Sequence, residues 1–247
     1  MLRYQRLIIM AATALLMAAC ASTAPEKSVQ RDRKVAGTDI VIWEPFLDQA
    51  EAHYVKRVTE LEDLPRQEGG VLFVGDSITE GMAQYALFPG VVAANYGVGW
   101  DTTRGLGERL AQITRNNPDR IFIMIGTNNH TYGHSSDGVY ATTLAVIDVI
   151  HAQLPETEIY LQSILPRDTE ANILLQGVNA RLAAIAGKEA YTFLNLAPFF
   201  AGADGQLATQ YTFDGVHLNA EGYELWESLI DVCVRQGCDG LGDPYQE

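Results

Sequence analysis

Three short polar stretches of this 247-residue chain could do chemistry together. Gly75-Asp76-Ser77-Ile78-Thr79-Glu80 offers a serine hydroxyl, and Phe213-Asp214-Gly215-Val216-His217-Leu218-Asn219 a carboxylate and an imidazole three positions apart. Gly126-Thr127-Asn128-Asn129-His130 adds a side-chain amide. A serine hydroxyl is a poor nucleophile unless a base takes its proton during attack. An Asp and a His at i, i+3 in one turn can share a face, so Asp214 can accept from one nitrogen of His217 while the other faces Ser77. The NH₂ of Asn128 can donate to a developing oxyanion. The chemistry this implies is acyl transfer.

Each stretch also has a plainer reading. Ser77 fits an N-cap in a Gly-Asp-Ser turn, Asn128 a turn former, and Asp214 with His217 a cap and a surface imidazole before a helix. Asp76, Asn128, His130, Asp214 and His217 are also ligand types that suit a metal-dependent phosphoesterase. The chain lacks the early Asp-x-His pair and the closely spaced ligand sets of metallophosphatases.

Positioning these residues falls to short apolar runs that alternate with helix-length amphipathic stretches. The runs are 71–74, 91–95, 121–125, 159–163 and 191–195. The continuous apolarity of the first and third is what a strand buried on both faces needs. Helical patterns lie between them at about 48–62, 103–116, 139–153, 172–187 and 220–234. The alternation predicts parallel strands joined by right-handed crossovers, hence a flavodoxin-like three-layer α/β/α sandwich around a five-stranded parallel sheet. Ligands of such sheets collect at the carboxyl ends of the strands, where Ser77 and Asn128 fall.

Gly-Asp-Ser-Ile-Thr, Asn95-Tyr96-Gly97-Val98-Gly99-Trp100-Asp101-Thr102-Thr103, Gly-Thr-Asn-Asn and Asp-Gly-Val-His-Leu-Asn resemble the four sequence blocks of SGNH (GDSL-like) hydrolases. The resemblance covers about residues 70–234. Its wording is most similar to the branch of intracellular platelet-activating-factor acetylhydrolase catalytic subunits and many bacterial acylhydrolases. It implies an ester hydrolase that needs no cofactor or metal. Ser77 would be nucleophile and, through its amide, oxyanion donor; Asn128 would be a second donor, His217 base and acid, and Asp214 its orienter. The family usually has glycine before the aspartate of its second block, contributing a further donor; here Trp100 stands there. Its amide can still donate, since every residue but proline has one, and a shift of the role to Gly99 is open. Asp76, Gly99, Tyr132 and Arg167 are candidate substrate contacts. Trp100, His134, Phe199, Phe200 and Tyr211 also fall in loops near this edge, Phe199 and Phe200 fitting the core equally well. His130 and His134 read as surface or supporting residues.

The resemblance and a cell-envelope setting favour short-acyl, especially acetyl, esters of saccharides or small lipids over phospholipids. A rival of another class is a non-catalytic lipoprotein that binds glycan or lipid in the same cleft.

With 47% hydrophobic and 19% charged residues the chain has an ordinary globular composition, and its length fills one large domain. The first residues read otherwise: Arg3 and Arg6 precede an apolar run, Leu7 to Ala19, that ends in small residues before Cys20. This is a signal peptide over 1–19. Leu16-Met17-Ala18-Ala19-Cys20 resembles a bacterial lipobox, with Met17 where Leu, Val or Ile is preferred. Cys20 would carry the lipid, 20–39 form a polar tether, and 40–247 the hydrolase domain, held through the lipid as a periplasmic or outer-membrane lipoprotein of the bacterial cell envelope, simple secretion being the alternative. A formal charge of −14 makes nucleic acid an improbable partner and argues against a polybasic grip on anionic lipid. No protein partner is evident. Cys233 and Cys238, five apart, suit either a local disulfide or two free thiols.

Overall fold

Continuous apolarity places the first run at the centre of the sheet. In the computed structural model, which describes residues 48–240 and the strands Arg33–Lys34 and Val41–Ile42, β1 (Val71–Gly75) is buried along its whole length. It pairs in parallel with β2 (Ala93–Gly97) on one side and β3 (Arg120–Met124) on the other. β4 (Glu158–Gln162) and β5 (Thr192–Leu194) extend the sheet, giving the order β2-β1-β3-β4-β5. The chain thus leaves β1 toward one edge and resumes at β3 on its other flank, which opens a crevice at the carboxyl ends of β1 and β3.

Successive strand residues point to opposite faces, so each strand feeds two cores. Leu72 and Val74 of β1 join Ile121 and Ile123 of β3 in one cluster, against α1 (Asp48–Glu62), α3 (Thr103–Glu108), α4 (Leu110–Thr114), α6 (Ser136–Gln153) and α7 (Thr169–Ile185). Val71, Phe73, Phe122 and Met124 join the other, against α2 (Ser77–Gly81) and α9 (Ala220–Gln236). Two layers of helices therefore cover a buried parallel sheet, the predicted three-layer sandwich. Two short helices, α5 (Thr127–Thr131) and α8 (Ala197–Phe200), follow β3 and β5.

Some boundaries differ from the sequence reading. The second strand starts two residues later than predicted, because the amide of Val91 turns back to the carbonyl of Phe88 and Val92 is 66% exposed at the sheet edge. The helix expected over 103–116 breaks at Arg109, whose backbone leaves the helical region at φ −106°, ψ 15°. Ser135 and Asp168 cap α6 and α7 earlier than the apolar pattern begins, each accepting from a backbone amide. Cys233, near the end of α9, and Cys238 are joined as a disulfide.

The expected signal peptide, lipidated Cys20 and most of the tether lie outside the described residues. Within the stretch read as tether, Arg33–Lys34 pairs antiparallel with Val41–Ile42. Among the described residues no helix is long and apolar enough to cross a membrane.

Candidate active site

The site is built where β1 and β3 end. Gly75 closes β1 where a side chain would strike the carbonyl of Met124 and the hydroxyl of Thr79, so only glycine lets α2 approach β3 this closely. Asp76 caps α2, accepting from the Ile78 amide at 3.0 Å, and Ser77 is the first residue of the helix. An amide at that position has no carbonyl one turn back to bond, so the Ser77 N–H is directed outward. The Tyr223 hydroxyl on α9 donates to the Ile78 carbonyl at 2.7 Å and holds the turn from below.

The loop before α9 brings the imidazole to the serine. Ser77 Oγ lies 2.9 Å from His217 Nε2, and His217 Nδ1 lies 2.7 Å from Asp214 Oδ2. With the proton on Nδ1 held by the carboxylate, Nε2 is left to accept from the serine hydroxyl. The other Asp214 oxygen accepts from the amides of Val216 and His217 at 2.9 and 2.8 Å, and Thr212 Oγ1 donates to the His217 carbonyl. This loop therefore carries its own scaffold. Partial burial pushes the Asp214 carboxyl up, but the hydrogen bonds from the His217 ring and from the two amides outweigh it, and the net shift is downward. Asp214 thus stays ionised through neutral pH.

Across from the base, Gly126 (φ 131°) turns β3 sharply into α5 and presents Asn128. Asn128 Nδ2 donates to the Asp101 carbonyl at 2.9 Å, which sets its amide against the loop carrying Trp100 and leaves its second N–H for a ligand. The amide of Trp100 has no protein acceptor among the described residues, whereas that of Gly99 is taken by Glu80 Oε2 at 2.6 Å. A shift of the donor role to Gly99 therefore loses its basis. Trp100 sits at φ 70°, a left-handed conformation that costs a side-chain-bearing residue about 1–3 kcal/mol and that glycine adopts freely.

Several residues that hold this loop carry no local sequence signal. Arg109 is buried at the break between α3 and α4, with Nε 2.7 Å from Asp101 Oδ2 and its other nitrogens donating to the carbonyls of Tyr96 and Gly75. One guanidinium thereby ties the ends of β1 and β2 to the loop. Glu80 also pairs with His53 Nε2 at 3.0 Å, and Arg57 donates to the carbonyls of Asn95 and Gly97. Their partners lie 8 to 40 positions away in the chain, so no period or motif marks them.

Of the candidate substrate contacts, Asp76 is not available: it is buried and spent on its cap. Burial, against the pull of the Ile78 amide, pushes its carboxyl up to about 7. Tyr132 caps α5 and is half-buried. Arg167 reaches the Thr127 carbonyl at 3.1 Å and the Thr131 hydroxyl at 3.2 Å, bracing α5 from the β4 side. Phe200 is buried against Tyr211 and Phe199 packs beside it, so both belong to the core. His134 Nδ1 accepts from Asn129 Nδ2, a supporting position. The five residues weighed as metal ligands are not gathered into one set: among the described residues no three His, Cys, Asp or Glu could share an ion.

A doubly wound sheet with serine, histidine and aspartate in line at its carboxyl edge has the architecture of a serine hydrolase. The chain belongs to the GDSL-like Lipase/Acylhydrolase family, whose model matches residues 73–225, and it is a carboxylic ester hydrolase. Platelet-activating factor acetylhydrolase IB subunit alpha2 of Homo sapiens is 33% identical over 171 residues, 65% of this chain and 74% of that protein. The alpha1 subunit of Bos taurus is 30% identical over 172 residues, 65% and 73% of the two chains. Among solved structures, a GDSL-like lipase from Bacteroides thetaiotaomicron superposes with a TM-score of 0.61 at 25% identity, covering 76% of this chain and 99% of that one.

Proposed function

We propose that the protein cleaves short-acyl, chiefly acetyl, esters of saccharides or small lipids through an acyl-serine intermediate. The observation that carries this reading is the unbroken hydrogen-bond line from Asp214 through His217 to Ser77. Ser77 Oγ attacks the ester carbonyl as its proton passes to His217 Nε2. The negative charge moves to the carbonyl oxygen, which accepts from the amides of Ser77 and Trp100 and from Asn128 Nδ2. Collapse breaks the bond to the alcohol, which leaves with the proton from His217. Water then gives a proton to the same nitrogen and attacks the acyl-serine; the bond to Ser77 Oγ breaks, the acid leaves, and Oγ takes the proton back from His217.

The acetylhydrolase relatives support a short acyl group. The acidic chain supports small soluble substrates over an anionic lipid surface. Turnover of p-nitrophenyl esters of rising chain length tests the reading: acetate is expected to be cleaved fastest, with activity retained in chelator and absent from Ser77→Ala. Fastest cleavage of long-chain esters, or full activity in the serine variant, contradicts it.

A second element of the proposal is location. Removal of a signal peptide over 1–19 and lipidation of Cys20 would hold the enzyme in the cell envelope by acyl chains, the tether leaving the catalytic domain free to meet substrate. Cys20→Ala is expected to move the protein from the membrane to the soluble fraction on cell fractionation; unchanged membrane retention contradicts the anchor.

A further inference from the structure

Two exposed aromatic side chains are carried by the loops that form the site. Trp100, in the loop whose amide faces the oxyanion, is 43% exposed, and Phe213, immediately before Asp214, is 71% exposed. Phe213 lies parallel to the His217 imidazole, with centroids 5.8 Å apart and planes 10° from parallel. Phe213 is thereby held beside the base, and Trp100 is carried by the loop whose next residue, Asp101, accepts from Asn128. Trp100 holds its ring there at φ 70°, where glycine would be unstrained, and an exposed indole recovers little of that strain by packing.

We infer that Trp100 and Phe213 form a ring-binding subsite for the alcohol part of the ester, and that this alcohol is a saccharide. The inference rests on the ester-hydrolase mechanism proposed above. The leaving oxygen must come within reach of His217 Nε2, so the alcohol passes over the base beside Phe213 while the indole walls the opposite side. Aromatic faces attract the apolar C–H face of a sugar ring, and an open rim leaves its hydroxyls in water.

Two other ligand classes fit less well. A lipid surface or long chain calls for a contiguous apolar patch around the serine. The remaining large apolar side chains exposed among the described residues, Leu64, Val92, Val149, Ile173 and Val232, lie outside the site loops. A quaternary ammonium calls for a cage of aromatic faces closed around it, which two rings this exposed do not make, or for a free carboxylate nearby. The two nearest in the chain are engaged, Asp214 by His217 and Asp101 by Arg109.

Steady-state kinetics on 6-O-acetylglucose, ethyl acetate and acetylcholine test the inference. Wild type is expected to prefer 6-O-acetylglucose by kcat/KM. In Trp100→Gly and Phe213→Ala the ratio of that kcat/KM to the one for ethyl acetate is expected to fall about tenfold, chiefly through KM, while Phe213→Tyr keeps the wild-type ratio. Phe213 is exposed, so its variants report on the ring and not on folding. A ratio unaltered in both ring-removing variants, or acetylcholine as the preferred ester, overturns the saccharide subsite. Failure of wild type to cleave any of the three overturns instead the hydrolase reading beneath it.

Discussion

The two sides of the site are built on opposite plans. On the oxyanion side, Arg109 and Asp101 are 3% and 0% exposed and are bonded into the ends of two central strands. On the base side, His217 and Asp214 are 38% and 39% exposed, in a loop whose hydrogen bonds close mostly on itself. The difference matches what each side must do. Charge that appears on an oxyanion is stabilised best by dipoles that cannot relax, which asks for donors locked into the core. A base that takes, returns and takes again a proton needs contact with leaving alcohol and incoming water, which asks for an open edge. The comparison predicts that damage to the base side lowers kcat alone, whereas damage to the oxyanion side lowers kcat and stability together.

The largest expected effect is on the base side. Asp214→Asn removes the acceptor that holds the His217 tautomer, and kcat should fall about 10⁴-fold, with a melting temperature close to wild type. A large loss of stability in that variant would break the comparison. Arg109→Ala strands a buried carboxylate and two strand-end carbonyls, and should cost about 3–5 kcal/mol of unfolding free energy in a denaturant titration, with a loss of kcat. An unaltered midpoint would show that Arg109 does not tie the loop to the core. Asn128→Ala should lower kcat by about 10²–10³ with less change in KM, measured on one acetyl ester; an equal loss in KM would mean the amide grips the ground state.

A further effect is a pH dependence on the buried side. The Asp76 carboxyl titrates at about 7 in the fold, against about 3.9 in an unfolded chain. The folded protein keeps a proton that the unfolded chain has lost over this interval, so stability falls as pH rises from about 4 to 7. Asp76→Asn keeps an oxygen for the cap and removes the titration. Its melting temperature should match wild type near pH 4 and exceed it at pH 8; parallel curves at all pH values would contradict a buried, titrating Asp76.

What the sequence displayed was whatever is encoded locally. The 48–62 pattern is α1 to the residue, and the apolar 121–125 run is β3 within one position, because burial on one stripe or on both faces leaves a direct periodic trace. Ser77, Asn128, Asp214 and His217 were legible because each sits at a strand end or helix start. The framework behind them was not. Arg109 becomes a buried ion only because Asp101, from the preceding loop, is buried with it, and Glu80 meets Gly99 only when β2 lies beside β1. The position of Trp100 could be read, but its left-handed backbone and outward ring are properties of the folded loop.

Covalent labelling tests the central claim most directly. Treated with a fluorophosphonate and mapped by mass spectrometry, the wild-type protein should carry one adduct, on Ser77, at a rate that falls sharply in His217→Ala and to nothing in Ser77→Ala. A folded wild-type protein that takes up no label, or takes it up elsewhere, would contradict the assignment of Ser77 as the nucleophile.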